Sequence, residues 1–260
     1  MTTMIDLTHA LIREMQTVTE AGGSTTTGYE QIRDRWTALL TQETTAATRL
    51  ADSIISGEDG SALYSLALAE EVGPEIIGKV RLKVAEQIYP ALRDEIVKVA
   101  AANYETLRSG FNKTAAQLVA DMNAVDPDSR PEQLMTAPTK ARQAWAEAPI
   151  HALELNGQIP ALATAAKLAG LNLPGNDGHL PLTTDPGNKH RRRVWEAWET
   201  TDGRTGRWAA LHKLGVTITA PPLDQYKPYR RPADLETRYK PGPMGGHSPY
   251  IYDPEDVAAA

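Results

Sequence analysis

The sequence predicts a mainly α protein: an elongated body of several antiparallel helices, followed by an irregular, extended C-terminal arm rich in Pro and Tyr. Apolar residues recur every three or four positions through the first two-thirds of the chain, as on one face of an amphipathic helix. Among 260 residues there is a single Phe, so the core relies on Ala, Leu, Val and Ile, which suits closely packed helices. We predict an acidic helical body over 1–172, a turn-rich segment over 173–219 and an arm over 220–260.

The body begins with helices over residues 5–19 and 29–56, joined by a linker rich in Gly, Ser and Thr. The second has a heptad-like apolar pattern that Glu43 and Ser53 weaken. A short apolar helix is expected over 61–72. Glycine-containing stretches are predicted to end each of these helices.

The strongest apolar stripe covers residues 77–122. Pro90 falls inside it, and a proline there removes one backbone hydrogen bond and clashes with the preceding turn. We therefore expect a kink or a break near Tyr89. Two further helices are predicted, over 139–148 and 160–171.

Turn-forming residues then become frequent. The stretches 173–178 and 184–187 leave too little apolar sequence between them for a helix. A basic, Trp-containing helix is predicted over 189–200 and a second short helix around Trp208. Residues 216–219 have the alternation and β-branched content of a strand.

Basic residues concentrate in and after this segment. Residues 189–240 contain 12 basic and 6 acidic side chains, although the whole chain has a net charge of −6. This asymmetry indicates an anionic partner, or else a segment that is solvated or neutralised within the chain itself. Trp195 and Trp198 share a helical face and are predicted to anchor their helix. Five arginines are candidates for contacts with phosphate groups, and the alternative partner for them is an acidic protein surface. They are Arg191, Arg192, Arg193, Arg204 and Arg207.

The arm over 220–260 combines eight prolines with five tyrosines. Prolines at this density exclude helices and central strands and favour extended or polyproline-like chain. Such a segment forms no core of its own, and its amphipathic rings suit it to ordering on a protein surface. The acidic cluster at 253–256 is expected to be a solvated tail. The predicted partner-binding residues are Tyr226, Tyr229, Tyr239, Tyr250 and Tyr252.

The sequence predicts neither a cofactor nor a catalytic site. Without cysteine there is no disulfide, thiolate nucleophile or Cys-type zinc site. No two of the six histidines have the spacing of metal ligands on one helical face. Residues 23–28 have the glycine spacing of a phosphate-binding loop, but Tyr29 stands where that motif needs Lys. His179, near Asp177, is expected to lie in a surface turn.

The sequence also predicts no association with membranes. No run of about 18 apolar residues is present, as a membrane-spanning helix would need. The first 15 residues include Asp6, His9 and Arg13, a composition that does not fit a signal peptide. We therefore expect no export through a cleaved leader.

In composition the chain resembles structural head and tail proteins of tailed phages that infect high-GC actinobacteria. The shared features are Ala-, Thr-, Asp- and Arg-rich helices, the absence of cysteine and the long Pro/Tyr arm over 220–260. The resemblance implies a virion component, assembled in the host cytoplasm, whose arm locks neighbouring subunits of a homo- or hetero-oligomer.

The leading hypothesis is therefore a non-enzymatic structural or assembly protein. One alternative is a nucleic-acid-binding or DNA-packaging accessory protein that uses the basic Trp/Arg segment. The other is an enzyme whose site is assembled from residues that no sequence motif reveals.

Overall fold

The computed structural model describes residues 2–41, 50–51, 54–55, 63–65, 74–241 and 247–256. Within them helices dominate, and the strands form two separate two-stranded sheets. The predicted mainly α fold, with an extended C-terminal arm, is confirmed. The chain divides into two compact units, Met1–Ala100 and Ala101–Ala260, and the boundary falls inside a long helix.

The helices, in chain order, are α1 (Met4–Glu20), α2 (Thr27–Thr41), α3 (Pro74–Ala124), α4 (Pro131–Leu134), α5 (Thr139–Leu168), α6 (His179–Thr183), α7 (Arg191–Glu199) and α8 (Arg207–Leu214). The strands are β1 (Thr184–Asp185), β2 (Thr217–Ile218), β3 (Glu236–Pro241) and β4 (His247–Tyr252). Short 3-10 helices cover Gly175–Gly178 and Leu223–Gln225. Described residues at 50–51, 54–55 and 63–65 are also helical.

In the first unit, α2 and the first half of α3 are antiparallel. Thr26, just before α2, donates a hydrogen bond to the Glu95 carboxylate at 2.6 Å. Arg81 donates one to the backbone oxygen of Leu40, near the end of α2, at 3.3 Å. The order of these contacts is reversed along the two helices. The core of this unit consists of the buried apolar residues Leu11, Met15, Val18, Tyr29, Trp36, Ala85, Leu92 and Ile96.

The first predicted helix corresponds to α1, which begins at a capping box. The Thr3 hydroxyl accepts the Asp6 backbone N–H, and the Asp6 carboxylate accepts the Thr3 backbone N–H. The beginning of the predicted helix over 29–56 corresponds to α2. Most of its remainder, and most of the helix predicted over 61–72, lie outside the described residues.

The long helix α3 passes through Pro90 without a break. A proline inside a helix costs about 3 kcal/mol, because one hydrogen bond is lost and the ring crowds the preceding turn. Ala85, Leu92 and Ile96 are buried on either side of it. Fully burying a Leu or Ile side chain contributes about 1.5–3 kcal/mol. Packing therefore offsets the local cost, and the helix continues.

The second unit contains an antiparallel pair formed by α5 and the second half of α3. Asp121 of α3 contacts His151 of α5 at 2.7 Å, between Oδ2 and Nδ1. The Thr114 hydroxyl, seven positions earlier in α3, donates to Glu154 of α5 at 3.1 Å. Position increases along one helix as it decreases along the other, which defines the antiparallel order.

The prediction of separate helices over 139–148 and 160–171 is wrong, because α5 is continuous and contains both Pro149 and Pro160. Buried alanines at 144, 148 and 152 are spaced by four and continue into Leu155 and Ile159. This buried stripe runs past Pro149 and ends next to Pro160. As in α3, burial of a whole helical face outweighs what each proline removes.

The short elements after α5 form a small core around three aromatic rings. Trp208 of α8 is fully buried; it packs edge-on against Trp198 of α7, with ring centroids 6.0 Å apart. It also lies 6.2 Å from the ring of Phe111 in α3. Trp195 is buried as well. The prediction that Trp195 and Trp198 anchor their helix is confirmed.

Two local predictions in this segment have different outcomes. The strand expected at 216–219 is present as β2, whose Ile218 pairs with Thr184 of β1 in antiparallel register. The stretch between the turn formers was expected to lack a helix, yet it contains α6. Leu180 and Leu182 of α6 are completely buried, so a single turn is stabilised by tertiary contacts that its local sequence does not reveal.

Candidate functional site

The arm begins on α3, where one amide side chain fixes its backbone. Asn112 accepts the Ala220 backbone N–H at 2.7 Å and donates to the Ala220 carbonyl at 3.1 Å. Tyr104, eight positions before Asn112 in α3, donates its hydroxyl proton to the Pro221 carbonyl at 2.6 Å. Burial raises the pKa of Tyr104 to about 12, so the hydroxyl stays a donor at physiological pH. The first residues of the arm are therefore bound to the body.

The middle of the arm packs on α7. The Tyr229 ring stacks on Trp195, with centroids 6.4 Å apart and planes 21° apart. The Trp195 indole N–H donates to the Arg230 carbonyl at 3.1 Å. The Arg191 guanidinium lies 5.9 Å from the Tyr229 ring centroid, within the range of a cation–π contact. Burial raises the pKa of Tyr229.

The end of the arm returns to the arginines at the start of α7. Arg191 donates to Glu255 at 2.6 Å. Glu255 is only 4% exposed, and it also accepts the Ala233 backbone N–H at 3.1 Å. The prediction that residues 253–256 are a solvated tail is therefore wrong, both for Asp253, whose side chain is 13% exposed, and for Glu255. The burial of Glu255 requires compensation, which the guanidinium and the backbone N–H supply.

Arg192 makes the corresponding pair with Asp253. Its Nε donates to Oδ2 at 2.5 Å and its Nη2 donates to Oδ1 at 2.9 Å, the two-point geometry that matches a guanidinium to a carboxylate. Nη2 also donates to the Ala233 carbonyl. The hydrogen bonds from Arg192 lower the pKa of Asp253 to about 2. Arg193, by contrast, is exposed and has no ion pair among the described residues.

The predicted binding tyrosines separate into two groups. Tyr226, Tyr229 and Tyr252 are half-buried, and the hydroxyl of Tyr226 is buried without a hydrogen-bond partner in the described part of the chain. Tyr239 and Tyr250 are exposed, at 66% and 38%. The exposed group belongs to β3 and β4, which pair as an antiparallel hairpin. A hairpin is compatible with the extended chain that the prolines predict.

The two faces of this hairpin differ in chemistry. One face carries Arg238 over the Tyr252 ring at 3.2 Å from the centroid and within 2.9 Å of Glu236, as well as Lys240 near Tyr250. We call the opposite face the apolar face; the register places uncharged side chains there, namely Thr237, Tyr239, Pro241, His247, Pro249 and Ile251. The side chains of the apolar face are exposed.

The edges of the hairpin are blocked by proline. Pro249 pairs with Tyr239 and Pro241 pairs with His247. Because residues in an antiparallel ladder alternate between hydrogen-bonded and non-hydrogen-bonded pairs, a proline without an N–H fits only the second type. Its missing donor then faces the free edge, which weakens the pairing of any additional strand. The apolar face is therefore better suited to contact than either edge.

Three residues at the end of the arm and the start of α7 could in principle hold a metal ion. Ligand atoms of His190, Asp253 and Asp256 all lie within 4.8 Å of one another. Both oxygens of Asp253, however, already accept hydrogen bonds from Arg192. A metal would have to displace that guanidinium, so the ion pair is the arrangement that the geometry favours.

The remaining candidate arginines lie on tryptophans. The Arg204 guanidinium is 3.4 Å from the Trp145 ring centroid, and that of Arg207 is 4.4 Å from the Trp198 centroid. His179 is half-buried at the start of α6 instead of lying in a surface turn. Burial, and then the nearby charge of Arg207, lower the pKa of His179.

Comparisons with protein-family models, with curated proteins and with solved structures found no match. Among the described residues, no helix combines the length and the hydropathy that a membrane crossing requires.

The sequence identified the arm and the arginines of α7 as distinctive features, but it did not show that the two are in contact. The contributions of Asn112 and Tyr104 were missed, because a single polar residue on a helix has no recognisable pattern. The pairing of Arg191 and Arg192 with the acidic end had a signal in the sequence. A run of basic residues and an acidic cluster far along the chain are complementary in charge.

Proposed function

We propose that this protein is a non-enzymatic assembly protein that contacts neighbouring copies of itself through the apolar face of its C-terminal hairpin. The observation that carries the proposal is the exposure of that face: Tyr239 is 66% and Ile251 is 65% exposed. The rest of the arm is bound to its own chain through Asn112, Trp195 and Arg192. The hairpin is therefore exposed, while the arm segments on both sides of it are bound to the rest of the chain.

Stability considerations support a partner for the hairpin. An isolated two-stranded hairpin is marginal in water, because it buries little apolar surface. Here the residues of β3 and β4 are exposed except for the half-buried Tyr252. Packing the apolar face against another surface would supply the missing burial, at about 25 cal/mol per Å² of apolar area.

A second copy of the chain offers a suitable surface. Ile150 and Leu153 lie three positions apart on α5, on the same helical side, and are 63% and 74% exposed. An uncharged hairpin face meeting this aliphatic patch makes a head-to-tail contact, because the two surfaces differ. Contacts of that type generate rings or open arrays of subunits. Such repetition suits a particle, and the compositional resemblance favours a phage virion assembled in the host cytoplasm.

The nucleic-acid alternative has less support. Arg191 and Arg192 are paired with Glu255 and Asp253 within the chain. Of the run over 191–193, Arg193 alone is exposed without an ion pair among the described residues. Binding DNA through this run would require the acidic end of the arm to be released first.

The test is to remove the hairpin while keeping the arm attached. Glu236 and Tyr252 are directly paired, so replacing residues 237–251 by Asn-Gly closes the chain with a two-residue turn. Asp253 and Glu255 then keep their arginine partners. In sedimentation velocity over a concentration series, we expect the intact chain to self-associate and the shortened chain to remain monomeric.

Point variants identify the face. Tyr239→Asp should abolish association, because it places a charge in the apolar contact, and Ile150→Asp should do the same from the acceptor side. Lys240→Asp, on the opposite face of the hairpin, is the matched control and should associate normally. If the intact chain stays monomeric up to its solubility limit, or if the shortened chain associates equally well, the proposal is wrong.

A further inference from the structure

A second feature of the Ala101–Ala260 unit is a cavity whose own lining lies outside the arm. The cavity, of about 370 Å³, lies between α5, around Asn156, and the loop of residues 200–206 that leads into α8. Its volume falls within the range of small-molecule sites. The residues that line it include Arg204 and Arg207 but no carboxylate. Asp202, the one acidic residue of the loop, is exposed and does not line the cavity.

Within the described part of the chain, neither arginine has a carboxylate at ion-pair distance. Arg207 is half-buried and has no ion pair among the described residues; its guanidinium packs on Trp198. Arg204 donates from Nη1 to the carbonyls of Pro127 and Trp145, at 3.2 and 2.9 Å, and those partners are neutral. Arg204 is exposed, but Arg207 is a partly buried cation, and such a cation without a carboxylate partner favours an anion from outside the chain.

The backbone adds to this positive potential. Helix α8 has eight residues and begins at Arg207, with no acidic residue in its first turn and no side-chain hydrogen bond at its N-cap, Gly206. The N–H groups at such a terminus favour bound anions. Gly206 has a φ of 55°, a backbone conformation that other residues rarely adopt, so the approach to the helix depends on this glycine.

An independent observation comes from Thr205. Thr205 is one of the residues that line the same cavity, it is only 3% exposed, and its buried Oγ1 has no hydrogen-bond partner within the described residues. Leaving a buried hydroxyl unsatisfied costs about 1–3 kcal/mol. An acceptor oxygen in the cavity would remove that cost.

The loop is held in this conformation from outside the cavity. The Asp128 carboxylate accepts the Arg204 backbone N–H at 2.9 Å. Gly203 has a φ of 78°, and a Cβ there would lie 2.7 Å from Asp128 Oδ1. Lys213 lies 3.7 Å from Asp128 and offsets its charge. The donors around the cavity are therefore fixed before any ligand arrives.

We propose that this cavity binds the phosphate group of a small molecule, with Arg204, Arg207, the Thr205 hydroxyl and the N-terminus of α8 as donors. Phosphate has several acceptor oxygens and a geometry that guanidinium groups match. An adjoining cavity of about 600 Å³ is also lined by Asn156 and Arg207 and includes Trp198 and His179. Its lining contains two carboxylates, Asp177 and Glu199, and both are paired with Arg231 of the arm. The adjoining cavity offers room for an organic group esterified to the phosphate.

Isothermal titration of the full chain with inorganic phosphate and with AMP tests the proposal, using chloride at matched ionic strength as the reference anion. We expect saturable binding of at least one phosphate compound. Tighter binding of AMP identifies an ester as the ligand, whereas equal binding identifies inorganic phosphate. Leu153 of the proposed acceptor patch also lines the proposed phosphate-binding cavity, so the protein in which Asn-Gly replaces residues 237–251 should bind at least as well as the intact chain. Binding retained in that protein separates the phosphate site from the proposed assembly role.

Arg207→Gln should weaken binding about tenfold or more, the loss expected for one charge-assisted hydrogen bond. Thr205→Val, which keeps the shape of the side chain, should weaken it less and provides a second variant if Arg207→Gln does not fold. Arg193→Gln is the matched control, because Arg193 is exposed on neighbouring α7, and it should leave affinity unchanged. No saturable binding at low ionic strength, an equal loss in the control, or binding of single-stranded DNA that phosphate cannot displace would overturn the proposal.

Discussion

Arg192 and Asp253, 61 positions apart in the chain, are joined by two hydrogen bonds, from Nε to Oδ2 at 2.5 Å and from Nη2 to Oδ1 at 2.9 Å. The pair is accompanied by the contact of Arg191 with the buried Glu255. Together they fasten the acidic end of the arm to the basic start of α7. The hairpin between these anchors and the Trp195 contact is consequently held at both of its ends.

Removing the Arg192 side chain should loosen the arm. We expect Arg192→Ala to speed tryptic cleavage after Arg230 several-fold, because Asp253 and the Ala233 carbonyl lose their Arg192 partner. Limited proteolysis followed by mass spectrometry measures this rate. Arg193→Ala is the control, since Arg193 is exposed without an ion pair among the described residues. Equal cleavage of the two variants would show that the pair does not hold the arm.

The contact between Arg192 and Asp253 should weaken at acid pH. The pKa of Asp253 is lowered from 3.8 to about 2 by its hydrogen bonds with Arg192. A carboxyl group with a depressed pKa contributes stability that is complete above its unfolded pKa. That contribution is lost as the pH falls from 3.8 through about 2. We therefore expect the arm to detach progressively across this interval.

The indole N–H resonance of Trp195 reports on this detachment, because it donates to the Arg230 carbonyl of the arm. The Trp208 ring, buried in the core, serves as the internal reference. Asp253→Asn removes the titrating group and should flatten the pH profile of the Trp195 signal in this range. An unchanged profile in that variant would assign the acid transition to another group.

Asn112 is predicted to be the main attachment of the first part of the arm. Asn112→Ala leaves the N–H and the carbonyl of the buried Ala220 without these partners. We expect a loss of about 1–3 kcal/mol in the free energy of unfolding. Denaturant titration measures it, and Lys113→Ala, at the exposed next position, should change stability very little. A similar effect of both substitutions would contradict the assignment.

The aromatic core should be the most sensitive part of the second unit. Trp208→Ala removes a fully buried ring that contacts Trp198 and Phe111, and should cost about 3–5 kcal/mol. Met135→Ala removes a side chain that is 79% exposed and should stay within about 0.5 kcal/mol of the parent. Thermal and denaturant unfolding compare the two. A small effect at Trp208 would mean that the site repacks around the missing ring.

Several elements could be predicted because their signals are local. The capping sequence and periodic apolar residues of α1, the Trp-bearing face of α7 and the β-branched residues of β2 all act over a few neighbouring positions. The boundary between the two units could not be predicted in this way. It lies within the continuous helix α3, where no linker or change in composition marks it.

The helical class, the positions of α1, α3, α7 and α8 and the extended character of the arm follow from the local sequence, because periodicity and proline density act over neighbouring residues. Tertiary structure alone decided that α3 and α5 continue through their prolines, since burial of a whole face outweighs a lost hydrogen bond. It also decided that Arg192 meets Asp253 and that Arg207 meets no carboxylate among the described residues. Such pairings depend on which distant segments share a surface, and that is fixed only when the core has packed.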